Sequence, residues 1–385
     1  MRVRLFWGAI GLLLYTYVLF PLLVALRGLI FHLPFRSAPI RPNVSLIVAA
    51  RNEGNAIGAK LANVDLLDYP SDRLEVIVAS DGSEDETEAI VAAHQGRAVR
   101  LLPRPREGKA AALNAAVGIA TGEIIVFSDA NSRYAPDAIS RLVAPFADDR
   151  VGGVAGNQVY ELEVGPDPAP GGERMYWVYD RLLKAGESRA GNAISATGAI
   201  YAIRKRLFRP IPPGVTDDFY TSVGVIAQGF RLVFVPNAVA YEPPAASGPL
   251  EFQRKVRIMT RGLRAVMMHR ELMNPFRHGF YALQMFSHKV LRRLMAIPLV
   301  VLAITGPMLW RRGALYRQAT AAQFAFYACA VVGLTPWRRA RHRLFELPAF
   351  FCLATAASTL AAWNVMRGHQ IDRWEPTRPH DRAPE

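Results

Sequence analysis

Residues 5–26 constrain this chain more than any other stretch: 22 positions without one charged side chain. As a helix they measure about 33 Å at about 1.5 Å per residue, enough to cross the hydrocarbon of a bilayer. The run follows "MRVR", the layout of a secretory signal. Its apolar part is too long for that role and no small-residue cleavage site follows, so it reads as a retained membrane helix. Three more apolar runs, 294–310, 318–335 and 345–366, lie toward the C-terminus. They explain why 51% of the residues are hydrophobic and the mean hydropathy is +0.12. An integral, multi-pass protein of the inner or plasma membrane is expected.

The net charge of +14 suggests nucleic acid until its location is considered. Residues 252–293 hold ten Lys/Arg against Glu271, and residues 311–343 hold seven Arg and no acid. These two stretches outweigh the whole net charge, and both abut apolar helices. Contact with anionic lipid headgroups explains them at lower cost than nucleic acid. In 252–293 the Arg and Lys alternate with Met, Leu and Phe at helical spacing, as in helices lying in a membrane interface; a basic solvated face over a small core is the plainer alternative. Cys329 and Cys352 sit inside apolar runs and form no disulfide framework.

Between the first helix and this basic segment, residues 42–241 alternate strand-like and helix-like runs. Strands are expected around 44–48, 74–79, 124–127 and 232–235, and helices around 109–119 and 220–227. Such alternation implies a Rossmann-like α/β domain with a mostly parallel sheet and ligands at the carboxyl ends of its strands. A Pro/Gly-rich stretch, "EVGPDPAPGGE" at 163–173, reads as a loop. The chain therefore divides into 1–36 (N-terminal transmembrane helix), 42–250 (α/β domain), 251–293 (basic amphipathic helices), 294–367 (C-terminal transmembrane helices) and 368–385 (polar tail).

Three expected strands end in polar residues: "VSLIVAA" in Arg51, Asn52 and Glu53, "LEVIVAS" in Asp81 and Gly82, "EIIVFSD" in Asp129 and, two residues on, Asn131. One polar strand end is ordinary turn chemistry. Three in one parallel sheet converge on one edge, because parallel strands share a carboxyl end. The absence of "GxGxxG" after the first strand disfavours a dinucleotide site, and the absence of "GxxxxGK[ST]" removes a P-loop. "REGKAAALNAAV" puts Lys109 at a helix start, where the dipole already attracts anions and a lysine gains no stability of its own.

Six motifs in order, "VSLIVAARNE", "ASDGSEDET", "GKAAALNAA", "FSDAN", "ATGAIYAIRK" and "VTDDF", resemble family 2 glycosyltransferases. The resemblance implies an inverting enzyme of the GT-A fold, cellulose-synthase-like in its membrane attachment, acting on a nucleotide-sugar donor. It implies that Ala50, Arg51, Asn52 and Glu53 line the nucleobase pocket and that Asp81, Gly82 and Lys109 contact the donor. Asp129 and Asn131 would hold Mg²⁺ or Mn²⁺ on the donor diphosphate, and Thr197 and Gly198 would meet the acceptor. Asp217 and Asp218 match the acidic pair whose second member is the general base, with Asp217 as helix cap or orienter. The chemistry is coherent: a divalent cation stabilises charge growing on the leaving diphosphate. A carboxylate must take the proton of a sugar hydroxyl whose pKa lies far above 7.

Two positions depart from the pattern. Asn131 stands where the family usually has a second metal-binding acid, so weaker metal affinity is expected. "QRKVR" replaces "QxxRW", with Val256 at the Arg position and Arg257 at the Trp position. Arg254 and Arg257 remain available to clamp a diphosphate, but the aromatic platform of polymerising relatives is missing. The expected function is transfer of one sugar onto a lipid-linked or envelope glycan by a domain facing the cytoplasm. A processive polysaccharide synthase and a non-catalytic nucleotide-sugar-binding subunit of an envelope-glycan assembly are the alternatives.

Overall fold

A computed structural model of the chain describes residues 1–96, 98–160, 171–243, 249–335, 343–369 and 371. Most of the expected 163–173 loop, the arginines at 338–341 and the tail from 372 onward lie outside these residues.

The α/β domain is built on one eight-stranded sheet. Its strands are β1 (Val44–Ala50), β2 (Leu74–Asp81), β3 (Val99–Arg104), β4 (Ile124–Asp129), β5 (Arg133–Tyr134), β6 (Val151–Tyr160), β7 (Tyr201–Arg204) and β8 (Arg231–Glu242). Their spatial order is β3-β2-β1-β4-β7-β6-β8-β5. All seven residues of β1 are buried, which is why it reads as an unbroken apolar run rather than an alternating one. Ile47 and Ala49 face one way, onto Ala112, Leu113 and Ala116 of the helix Lys109–Ile119. Leu46 and Val48 face the other way, onto Ile57, Leu61 and Val64 of the helix Gly54–Asp65.

The sheet is mixed, which corrects the mostly parallel expectation. Strands β3, β2, β1 and β4 pair in parallel, as do β6 and β8. Strand β7 runs antiparallel to both β4 and β6, and β5 runs antiparallel to β8. Uninterrupted parallel pairing governs the sheet only as far as β4. Beyond it, β6 and β7 are separated by the long helix Gly171–Arg189, and β7 enters reversed. The reversal matters for the site. Tyr201, the first residue of β7, registers with Phe127 on β4, so the chain just before β7 passes over the carboxyl end of β4. The two rings stack at 4.6 Å between centroids, and Tyr201 is fully buried.

Outside the sheet, two helical stretches among the described residues are long and apolar enough to cross a membrane: Arg2–Ile30 and Leu344–Met366. A third crossing would require Phe280–Leu294 and Ala296–Met308 to act as one span, and they are bent by 49°. The expectation of four spans is thus reduced among the described residues. Ala296–Met308 has 13 residues, about 20 Å at about 1.5 Å per residue, too short alone. Ala314–Gly333 carries Arg317 and does not reach the hydropathy of the other two. These helices still pack as a group: Arg2–Leu14 on Ala296–Met308, and Arg343–Met366 between Ala314–Gly333 and Pro249–Met268. Their outer faces expose Leu19, Leu29, Ile297, Ile304, Val331 and Trp363. A surface this apolar on helices this long has the character of a lipid-facing one.

Candidate active site

The carboxyl edge of the sheet opens into a cavity of about 1800 Å³. Asp129 at the end of β4 forms one wall, and the first turn of the helix Asp217–Ala227 forms another. Lys109, first residue of its helix, reaches between them. Its Nζ lies 2.8 Å from Asp129 Oδ1 and 3.1 Å from Asp217 Oδ2. Burial alone would lower the Lys109 pKa, but the two carboxylates reverse the sign and hold it above its ordinary value. One ammonium therefore serves two strand- and helix-end acids.

Asp218 has no such partner among the described residues. Its Oδ1 accepts from the backbone N of Phe219 at 2.7 Å. Burial and then the charge of Asp217 push its carboxyl up to about 7, against the opposing pull of Lys109. The group borders the cavity and keeps part of its surface accessible. A carboxylate that titrates near neutrality beside a charged neighbour is poised to take a proton. The helix-cap reading of the pair is corrected by the geometry: the N-cap is Thr216, and both aspartates lie inside the first turn.

The Asp129–Asn131 turn is pinned from behind by a residue the sequence reading passed over. Lys60 Nζ donates to Ser128 Oγ and to the Ser132 carbonyl, both at 2.7 Å, and sits 4.0 Å above the Tyr134 ring. Burial lowers its pKa to about 7, with Asp129 and Glu242 pulling the other way. Ser132 Oγ donates to Glu242 Oε1 at 2.8 Å, which brings the end of β8 into the same network. Lys60 had a legible signal: it occupies the apolar face of Gly54–Asp65, in the row with Ile57, Leu61 and Val64. Glu242, which lines the cavity, was hidden because β8 was expected to stop at 235.

The expected donor residues divide. Arg51, Glu53, Lys109, Asp129, Arg254 and Arg257 line the cavity, as do Asn131, Thr197, Gly198, Asp217 and Asp218. Ala50, Asn52, Asp81 and Gly82 do not. Asn52 adopts φ 51° and its Oδ1 accepts from Glu84 N at 2.9 Å, tying the loop after β1 to the loop after β2. Asp81 Oδ1 accepts from the backbone N of Glu107 and of Gly108, both at 2.8 Å, so it holds the turn that delivers Lys109. Its buried Oδ2 has no hydrogen-bond partner among the described residues. Gly82 has φ 61° and a Cβ there would meet Arg106 at 3.0 Å, so backbone geometry explains this glycine.

Thr197 and Gly198 occupy the chain that crosses over β4. A Cβ on Gly198 would come within 3.0 Å of Asp129 Oδ2, so only a glycine lets the backbone lie this close to the carboxylate. Thr197 Oγ1 is buried with no hydrogen-bond partner among the described residues. The segment is held by Ala196 N donating to Ser222 Oγ at 3.0 Å and by Tyr281 Oη donating to the Ile194 carbonyl at 2.9 Å.

Asp129 and Asn131 offer a carboxylate and an amide oxygen on one turn facing the cavity. This donor set fits a hard divalent cation that takes the rest of its shell from phosphate and water. No group of three or more His, Cys, Asp or Glu suited to a metal occurs among the described residues, which therefore form no closed protein cage.

A mixed sheet of this order, with acids at the carboxyl edge of its parallel half and a reversed strand bringing a loop over them, defines a Rossmann-like GT-A domain. Residues 45–211 match the family described as glycosyl transferase family 2, a match carried by the α/β domain. Among solved structures, a mannosyltransferase of Pyrobaculum calidifontis, in complex with GDP-Man and Mn²⁺, matches with a TM-score of 0.69 and 25% identity, over 92% of this chain and 99% of that one. An N-acetylglucosaminyltransferase of Rhizobium meliloti (strain 1021) is 30% identical over 225 residues, 54% of this chain and 52% of the relative. A β-monoglucosyldiacylglycerol synthase of Trichormus variabilis is 35% identical over 158 residues, 38% of this chain and 33% of that protein. The chain thus spans about half of the first of these curated relatives and a third of the second.

Proposed function

We propose that the protein is a membrane-bound inverting glycosyltransferase that moves a single sugar from a nucleotide-sugar donor to a lipid-linked or envelope-glycan acceptor. The observation that carries this reading is Asp218: a carboxyl pushed up to about 7 at the wall of a cavity that also holds Asp129, Asn131 and Lys109. The acceptor hydroxyl oxygen attacks the anomeric carbon as its proton passes to Asp218, and the bond from that carbon to the diphosphate breaks. Asp217 keeps Asp218 protonatable near neutral pH through its charge, and Lys109 neutralises Asp129 and Asp217 before donor arrives. Arg51, Glu53, Arg254 and Arg257 are the cavity residues assigned to the donor, and Thr197 and Gly198 those assigned to the acceptor side. Asn52, Asp81 and Gly82 support the donor loops from outside the cavity, an assignment supported by the internal hydrogen bonds of Asn52 and Asp81 and by the positive φ of Gly82. A divalent cation, Mg²⁺ or Mn²⁺, held by Asp129 and Asn131 would stabilise the charge of the departing diphosphate. The Mn²⁺ in the complex of the archaeal mannosyltransferase supports that assignment.

The direct test incubates the detergent-solubilised full chain with a panel of nucleotide sugars and a membrane lipid extract. Release of nucleoside diphosphate together with a labelled lipid or glycan product is expected for one donor; release of nothing from any donor would leave the binding-subunit reading instead. The apolar helices flanking the domain support a membrane location with the catalytic domain on the cytoplasmic side, where nucleotide sugars are made. A cysteine placed at exposed Leu66 should then be labelled by an impermeant reagent in inverted vesicles and not in intact cells.

A further inference from the structure

The cavity is larger than its donor needs. Pockets for one small ligand occupy roughly 300–1,000 Å³, and this one measures about 1800 Å³ and continues from Asp218 to the apolar helices. Its wall changes character in a fixed order. Next to Asp218, the ring of Phe219 lies 5.3 Å below Lys289 Nζ. From there Lys289, Arg292 and Arg293 meet Arg261 and Lys255 of the helix Pro249–Met268, and all five line the cavity. The two groups touch: a Cβ on Gly262 would lie 2.9 Å from Arg293 Nη2. At the far end Lys255 Nζ is 5.3 Å from the Phe350 ring, where the lining turns apolar with Leu299, Leu302, Phe326, Leu347 and Phe351. Among the described residues two acids oppose this charge: Asp180, on the wall 4.0 Å from Lys184, and buried Glu187 behind it, 2.9 Å from His288, both acting on Lys289. The basic segment therefore does more than rest on lipid headgroups, as its sequence suggested. It turns part of its charge inward, between the carboxylates and the apolar helices.

We propose that the acceptor is an amphiphile with three parts in the same order: a hydroxyl-bearing headgroup at Asp218, a phosphate in the basic collar, and a hydrocarbon chain entering between the helices Arg2–Leu14, Ala296–Met308 and Arg343–Met366. The assignment rests on the glycosyltransferase reading and narrows its acceptor to a phosphate-bearing lipid. A neutral diglyceride offers nothing to five clustered cations, and a soluble glycan offers nothing to the apolar end. In the reaction the lipid phosphate is unchanged: its role is to fix depth, so that the headgroup hydroxyl and not the phosphate oxygen meets the base. That distinction fits a site that has kept a carboxylate near neutrality, because an already ionised phosphate nucleophile needs no base.

Phosphatidylglycerol has all three parts and serves as the probe. The full chain is purified in neutral detergent, and retention of added phosphatidylglycerol is compared with that of diacylglycerol by native mass spectrometry, with soluble glycerol phosphate as competitor. Phosphatidylglycerol should be retained roughly tenfold or more over diacylglycerol, and the preference should collapse in the double variant Lys289→Gln/Arg293→Gln while nucleoside diphosphate affinity stays within about twofold. Equal retention of diacylglycerol overturns the proposal, as does displacement by glycerol phosphate at matched concentration, which would make the collar a site for soluble phosphate. Unchanged retention in the double variant overturns it too, by placing the lipid on the outer surface, and loss of nucleotide affinity in that variant assigns the collar to the donor. Selective lipid retention by a protein that transfers no sugar would sink the glycosyltransferase reading and leave the lipid site standing.

Discussion

The loops after β1 and β2 and the acids at β4 and the helix Asp217–Ala227 look alike in sequence, each a polar patch closing an apolar run, yet they do different work. In the first pair Arg51 and Glu53 reach the cavity and Asp81 Oδ2 keeps no partner among the described residues, but the other polar groups bind within the loops. Asn52 binds Glu84 N, Asp81 binds the backbone of Glu107 and Gly108, and Ser80 Oγ donates to Glu88 Oε1 at 2.7 Å. In the second pair the carboxylates face the cavity, and Asp129 and Asp217 share one ammonium, which leaves Asp218 without an ion-pair partner among the described residues. Polar strand ends thus divide into scaffold and chemistry by whether their hydrogen-bonding capacity is already used. Four substitutions test that division.

The largest effect is expected at Asp218. Asp218→Asn keeps size and shape but cannot take a proton, so transfer should fall by ~10²–10⁴, or roughly 3–5 kcal/mol of barrier, with nucleoside diphosphate affinity nearly unchanged. Near-normal turnover would return Asp218 to the scaffold. The same residue sets the pH dependence. The base must be ionised, so kcat/KM should drop about tenfold per pH unit below about 7. Asp217 helps hold that pKa up, so Asp217→Asn should move the acid limb to lower pH. A limb that stays in place would mean that some other group controls it.

Asn52 should behave in the opposite way. Asn52→Ala removes the bond to Glu84 N and leaves a residue with a Cβ at φ 51°, a conformation that asparagine tolerates better than alanine. A loss of about 1–2 kcal/mol in stability is expected, with donor affinity changing only as far as the loop loosens. If nucleotide binding collapses while the melting temperature is unmoved, Asn52 belongs with the donor contacts and the comparison breaks at that point.

Much of this was legible before any coordinates. The helix Lys109–Ile119 has the bounds that its Ala-rich run announced, and the centres of β1, β2 and β4 and the first residues of β8 sit where the apolar runs placed them. Side chains buried on both faces of a parallel half-sheet leave that signal. Strand β6 left none, because "VGGVAGNQVY" is rich in glycine and gains its strand character from neighbours on both sides. The reversal of β7 was equally silent, since four residues cannot report their direction, and the crossing of Gly198 over Asp129 follows only from it. At the site, residue types were readable and partnerships were not. Lys109 looked like a phosphate ligand at a helix start, and the fold instead closes it onto Asp129 and Asp217. The inward turn of Lys289, Arg292 and Arg293 was beyond reach for the same reason: helical spacing gives the basic face of a segment and not what stands opposite it.

The smallest effect sharpens the comparison from within the chemical half. Asn131 lines the cavity two residues after Asp129, on the turn that Lys60 pins through Ser128 and Ser132. Because that turn is held from behind, Asn131→Asp should change charge without moving backbone. A second carboxylate attracts a divalent cation more strongly than an amide, so the metal concentration for half-maximal transfer should fall by a fewfold, with little change in maximal rate. The added charge would line the same cavity as Lys109 and Asp218, which gives a second readout. At sub-saturating metal, another carboxylate in that cavity should raise the Asp218 pKa and shift the acid limb of kcat/KM upward, the reverse of Asp217→Asn. Saturating metal should cancel that shift by neutralising the new charge. Full activity of the parent protein in excess chelator, with no metal response in Asn131→Asp, would remove the cation from Asp129 and leave Lys109 as the cation of this site.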